Sequence, residues 1–242
     1  MSADIRAAGK KPNGLSTVID VIAAPKTAFE TLREAPMWGW AFVITAILSI
    51  IGTYLALPVT LHVFEIMFRH QMATSPNASQ LTPEQIQKSM RFSEALVRNG
   101  FLFAPVGVLI GVLVQTVIML IFKAIGRGTA GFKQLWCSAM NAAVVVGLYY
   151  VVYGVILMLR GPDSFSSTTE SLLAMPSLGW LMPHGPVKLV TFLATFNPFY
   201  IWSSVLIGVA MSVVARVSRP IAILTAVLSI VVPAIFAAGF AR

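Results

Sequence analysis

The chain has 242 residues, of which 57% are hydrophobic and 11% charged, with a formal net charge of +8. A soluble domain carries about 25% charged residues, so this composition excludes a soluble enzyme, a disordered chain and a coiled coil. It leaves an all-α integral membrane protein. The single cysteine, Cys137, excludes an internal disulfide and a paired-cysteine metal site. The basic excess suits cytoplasmic loops and anionic headgroups better than nucleic acid.

Residues 1–14 form a polar tail without the long apolar core of a cleaved signal peptide. Residues 15–36 follow as an amphipathic segment. Leu15, Val18, Ile22, Phe29 and Leu32 make one helical stripe, with Asp20, Lys26, Glu30, Arg33 and Glu34 on the polar side. Pro25 interrupts it as the first residue of a second short helix. This predicts an interfacial helix in the cytoplasmic headgroup layer, where Pro25, Lys26, Phe29, Leu32 and Arg33 would touch lipid or a partner. Packing on the protein's own spans stays open as the other reading.

A spanning helix needs about 20 apolar residues. Five stretches lack Asp, Glu, Lys and Arg: residues 35–64, 99–122, 134–159, 189–215 and 220–241. They predict a five-helix membrane domain over 37–242, with spans near 38–64, 100–122, 136–159, 196–215 and 220–240. The first stretch would reach about 45 Å against a hydrocarbon core of about 30 Å. It must therefore tilt, kink at Pro58 or project toward His70. Trp38 and Trp40 suit its entry interface. Leu81 to Asn99 reads as an amphipathic helix opened by a capping box from Thr82 to Gln85. Ser171 to Val187 is apolar but broken by Pro176, Pro183 and Pro186, which predicts an interfacial or re-entrant loop. Asn197–Pro198 and Ser218–Arg219–Pro220 suit the starts of the last two spans.

With the N-terminus inside, ten Lys and Arg fall on the cytoplasmic side and seven outside. The short loops Lys123 to Lys133 and Arg216 to Arg219 contain no acid and both fall inside. The positive-inside rule therefore favours a cytoplasmic N-terminus and an extracytoplasmic C-terminus in the cell's inner membrane. Lys123, Arg127, Phe132 and Lys133 join the candidate contacts with lipid or a partner.

The sequence offers no catalytic set, cofactor or metal site. Gly126 to Gly131 matches GxGxxG, but a membrane helix precedes it where a dinucleotide site needs a strand. His62, Glu65 and Arg69 share a helical face without the three ligands of a catalytic zinc. No charged residue lies centrally in a span, which argues against ion coupling. The spans do carry small residues at four-residue spacing: Gly107 and Gly111 in the second, and Ser204, Gly208 and Ser212 in the fourth. These are candidates for close helix packing, within the chain or in a homo-oligomer. Tyr149, Tyr150 and Tyr153 are candidates for lining a cavity.

Three places carry a resemblance. Pro25, Phe29 and Leu32 precede the first span. Gly128, Phe132, Lys133 and Leu135 enter the third. Asn197, Phe199, Ile201, Trp202 and then Gly208 open the fourth. In this order the chain resembles the Yip domain family, named for interaction with Ypt/Rab GTPases, in its prokaryotic branch. The resemblance implies five membrane helices, a cytoplasmic N-terminus and no enzymatic activity. The Asp-Leu-Tyr-Gly-Pro motif of the eukaryotic members is absent. The expected function is a non-enzymatic protein that organises membrane or binds a partner; the alternative is a channel, lipid-translocating protein or small-solute transporter.

Overall fold

The computed structural model describes residues 13–75 and 82–241. Arg6, Lys10, Lys11 and Arg242, counted above for orientation, lie outside the described residues. Every regular element among the described residues is helical.

The amphipathic segment forms two helices, α1 (Gly14–Ala23) and α2 (Pro25–Glu34). Asn13 caps α1 by accepting from the Leu15 amide, and Pro25 opens α2. Their stripe packs into the bundle over most of its length, while Leu15 stays exposed. Val21, Phe29 and Leu32 are fully buried, in one cluster with Leu135, Leu206 and Met211. This is the packing on the protein's own spans that the sequence left open. An apolar stripe gains as much from a protein groove as from lipid, and here the bundle supplies the groove.

α3 (Gly39–Thr74) is one helix of 36 residues, about 54 Å long against a core of about 30 Å. It runs through Pro58 without a break, and upright it is long enough to project beyond the bilayer. α4 (Pro83–Asn99) begins with the expected reciprocal cap: the Gln85 amide donates to Thr82 Oγ1 and the Thr82 amide to Gln85 Oε1. A 3-10 turn over Gly100–Phe103 joins it to α5 (Ala104–Ile125). The projecting part of α3 and α4 form a hairpin at the end of the bundle away from α1 and α2.

The third span is α6 (Phe132–Ala142) and α7 (Val144–Arg160), with a one-residue break at Ala143 that the apolar run did not reveal. Ser203 Oγ donates to the Ala142 carbonyl at this break, at 3.3 Å. The proline-rich loop holds α8 (Thr168–Leu172) and then α9 (Val187–Ala194), bent by 56° from α10 (Pro198–Val213). Asn197 sets the bend by accepting from the Phe199 and Tyr200 amides. α11 (Arg219–Phe240) closes the bundle. Ser218 stands at its N-cap without a side-chain capping bond.

Four helical runs are long and apolar enough to cross a membrane, and the bent α9–α10 pair makes a fifth. Their outward faces carry Val43, Ile47 and Ile51 on α3, Ile110 and Leu113 on α5, and Ile223 and Val227 on α11, all exposed. Such a continuous apolar belt is a lipid-facing surface.

Candidate functional site: a central cleft and a basic end face

α3 and α7 form the most extensive helix pair. Their seam is Ala41, Thr45, Ser49, Gly52 and Ala56 on α3 against Gly147 and Gly154 on α7, all buried. A Cβ on Gly52 would overlap the Tyr150 backbone, and one on Gly154 would overlap the Gly52 carbonyl. This is the closest packing in the protein. The sequence reading missed it because the glycines sit on two helices at spacings other than four.

The GxxxG pair behaves differently. A Cβ on Gly107 or Gly111 would meet nothing within 4 Å, so these glycines are not a packing seam within the chain. They line a cleft of ≈ 440 Å³ among α5, α7, α10 and α11. On α10 the small residues divide. Gly208 packs against Ala226 and Ser204 donates to the Ala226 carbonyl at 2.8 Å, whereas Ser212 is exposed.

Gln115 reaches this cleft from the middle of α5. Its Nε2 donates to the Ser229 carbonyl at 2.6 Å. That carbonyl would take the amide of residue 233 in an unbroken helix, and residue 233 is Pro. Gln115 therefore replaces the hydrogen bond that the proline removes. The same contact fixes the amide orientation and turns Oε1 away. Oε1 is buried and has no partner. Ser204, Ser229 and Thr45 also spend their hydroxyl protons on backbone carbonyls. The wall also carries the hydroxyls of Tyr150 and Tyr200.

Tyr149, Tyr150 and Tyr153 cluster with Tyr200 of α10. Tyr149 stacks on Tyr153 at 5.6 Å and meets Tyr200 edge-on at 5.2 Å. Tyr150 and Tyr200 line both the central cleft and a second cleft of ≈ 530 Å³. The second cleft shares Thr60, Val97, Tyr153 and Leu172 with a third of ≈ 470 Å³ under the α3–α4 hairpin. Among the described residues these linings carry no Asp, Glu, Lys, Arg or His. The row of clefts stops at Thr45, Ala139 and Ile207. Beyond lies the packed core of α1, α2 and α6.

At the α1–α2 end the candidate contact residues separate. Phe29 and Leu32 are buried, so neither can touch a partner. Pro25 and Lys123 are half-buried. Arg33 donates to the Val213 carbonyl at 3.4 Å and pairs with Glu34. Lys26, Arg127, Phe132 and Lys133 are exposed, and Phe132 stacks on Trp136 with ring centroids 6.1 Å apart. α6 locks this end to the bundle. Gln134 Nε2 donates to the Arg33 carbonyl at 2.7 Å, and Asn141 Nδ2 to the Met37 carbonyl at 3.0 Å. These are backbone acceptors left free where α2 ends.

The Gly126–Gly131 segment is a turn. Its Thr129 amide donates to the Ala215 carbonyl at 3.0 Å, so the two short basic loops lie against each other. Glu65 and Arg69 form an exposed ion pair. Among the described residues no group of three or more His, Cys, Asp or Glu is placed to hold a metal ion.

The family model for the Yip1 domain matches residues 19–241. The chain belongs to the Yip1 domain family. The match begins within α1 and ends after α11, so the buried N-terminal pair is part of the Yip1 domain here. The chain is also similar to "Membrane protein YknW" of Bacillus subtilis (strain 168), with 23% identity over 215 residues, 87% of this chain and 85% of the relative. No solved structure matches. The motif positions Pro25, Phe29, Gly128 and Asn197 act structurally in this Yip1-domain protein. They start a helix, fill the core, pack a loop and cap a helix.

Proposed function

We propose that this Yip1-domain protein is a non-enzymatic component of the cytoplasmic membrane, N-terminus inside and C-terminus outside, that organises membrane by gathering anionic headgroups and a partner at its inner face. The observation that carries this reading is the end face itself. Gln134 holds the Arg33 carbonyl of α2 and Asn141 that of Met37 just beyond it, and Lys26, Arg127, Lys133, Arg216 and Arg219 stand exposed at this end. Basic residues at this level attract anionic lipid by about 1 kcal/mol each. The same cluster supports the orientation, because both acid-free loops lie on it. The non-enzymatic part rests on the family and on the three clefts between the spans, whose described linings carry no ionisable acid or base other than tyrosine; a fourth cleft, between α1 and α2, is lined by Asp20, Glu30 and Glu34.

The test is lipid retention. Protein reconstituted in mixed phosphatidylglycerol and phosphatidylcholine nanodiscs is re-extracted, and the retained lipid is counted by mass spectrometry. Phosphatidylglycerol is expected to be enriched, and Lys26→Glu with Arg127→Glu and Lys133→Glu is expected to abolish the enrichment. Equal retention of the two lipids, or enrichment that survives the triple variant, overturns the reading.

A conduit is the second reading, favoured by the row of clefts that meet at Tyr150 and Tyr200. The packed α1–α2 end speaks against a through-path. Flux of small ions, a small solute or a fluorescent lipid in proteoliposomes decides between them.

A further inference from the structure

α1 has three sides. Val18 and Val21 are buried in the core. Ser16 and Asp20 line a groove of ≈ 620 Å³ with Glu30 and Glu34 of α2, and a groove edged by carboxylates faces water. The third side is Leu15 and Ile19, one helical turn apart and 43% and 62% exposed. Asp20 is the only charged residue from Gly14 to Ala23, and it lies on the groove side. The position of α1 decides what meets the third side. A Cβ on Gly14 would approach Trp40 Cδ1 to 2.9 Å, so α1 starts on that ring. Trp40 heads the exposed stripe of α3 that continues through Val43, Ile47 and Ile51 into the lipid belt. Trp38 beside it meets Trp136 edge-on at 6.2 Å, and tryptophans at the entry of a span mark the headgroup level. Leu15 follows Gly14 directly, so the apolar edge of α1 begins where the lipid-facing stripe begins. Two aliphatic side chains are too few for a stable protein interface, which buries about 800 Å² on each partner. They suit the boundary of the acyl chains, which they need only enter.

We propose that α1 is sunk by this edge into the leaflet at its end of the bundle, with Leu15 and Ile19 among the acyl chains beside Trp40 and with Ser16, Asp20 and the acidic groove on the water side. The occupant of the edge is lipid, and the contact is with its chains, whatever the headgroup. The buried side of α1 already fixes the helix to the bundle. Lipid therefore does not hold α1 in place; α1 displaces lipid from a fixed position, as a wedge in one leaflet. The wedge rests neither on the orientation of the bundle nor on the attraction of the end face for anionic headgroups, and it forms equally in a neutral bilayer.

Cys137 is buried, so a cysteine placed on α1 of the full chain can be spin-labelled selectively. Leu15→Cys, Ile19→Cys, Ser16→Cys and Asp20→Cys each replace an exposed side chain and leave the buried side of α1 intact. The protein is reconstituted in phosphatidylcholine vesicles. Collision rates of each label with oxygen, which concentrates among acyl chains, and with a water-soluble nickel chelate give its depth. The labels of Leu15→Cys and Ile19→Cys are expected about 5–10 Å into the boundary between headgroups and acyl chains. Those of Ser16→Cys and Asp20→Cys are expected in water. Equal access of the nickel chelate to all four labels overturns the proposal. So does an Ile19→Cys label shielded from both reagents, the result that follows if a second copy or another protein covers this edge.

Discussion

Gly154 lies so close to the carbonyl of Gly52 that neither helix has room for a side-chain carbon at the crossing. Gly52→Ala and Gly154→Ala must each push backbone from backbone. Overpacking of this kind costs about 1–3 kcal/mol, and both variants are expected to lower Tm in detergent. Gly107→Ala is the control. Its Cβ meets nothing, and Ala gains up to about 1 kcal/mol in helix propensity over Gly, so its Tm is expected to hold or rise.

The coupling between Gln115 and Pro233 is measurable as a double-mutant cycle. Gln115→Leu alone leaves the Ser229 carbonyl without a donor and is expected to destabilise by about 1–2 kcal/mol. In a Pro233→Ala background the helix supplies its own donor, and the same substitution is expected to cost less. Equal costs in the two backgrounds would show that the amide and the proline act independently.

Arg127 and Arg216 end α5 and α10 in the left-handed region, with φ of 52° and 56°. For a residue with a Cβ this conformation costs roughly 1–2 kcal/mol, and glycine is the common occupant of such helix ends. Arg216→Gly is expected to leave thermal unfolding unchanged or raise its midpoint. Arg216→Val, β-branched at the same φ, is expected to lower it.

Phe29 and Lys26 share a helix but not a fate. Phe29 is 0% exposed, and Phe29→Asp places an unpaired charge in the core. A loss above about 4 kcal/mol follows, seen as failure to elute as a monodisperse peak in detergent. Lys26→Glu, on the exposed side, is expected to stay within about 0.5 kcal/mol of the parent. A lost partner in the first variant would report unfolding, and in the second it would report the surface.

In the loop after α7, Glu170 accepts from the Ser166 amide at 2.6 Å and from its hydroxyl at 2.9 Å. These bonds hold its carboxyl below the ordinary value of 4.5. Its contribution is present above that value and is lost as pH falls through the lowered folded value. The protection of the Ser166–Leu172 amides against hydrogen exchange, relative to their intrinsic rates, is expected to fall across that acid range. In Glu170→Gln the acid step is expected to disappear.

Much of this architecture was legible in the chain. The spans follow from missing charge, and Asn197 with Thr82 and Gln85 cap the helices that their spacing announces. Faces were harder. Gly107 and Gly111 match a packing motif, yet spacing cannot say whether a stripe meets a helix or a space, and here it meets a space. Gly52 and Gly154 match no motif and make the closest contact. Phe29 and Leu32 form an apolar stripe that lipid and protein satisfy equally well, so its partner was undetermined until the fold placed α6 and α10 beside it. Gln115 belongs to no motif in the sequence. The signal that would have found it is Pro233, because a proline inside a span orphans a carbonyl that some polar side chain must serve.

The 56° bend at Asn197 leaves α10 only 16 residues long, about 24 Å against a hydrocarbon core of about 30 Å. Ile201, Trp202 and Val205 face outward along it. α9 supplies the rest of the crossing at an angle, so lipid meets a bent wall on this flank. Acyl chains beside this flank therefore cannot lie straight along one helix axis, as they can beside α11.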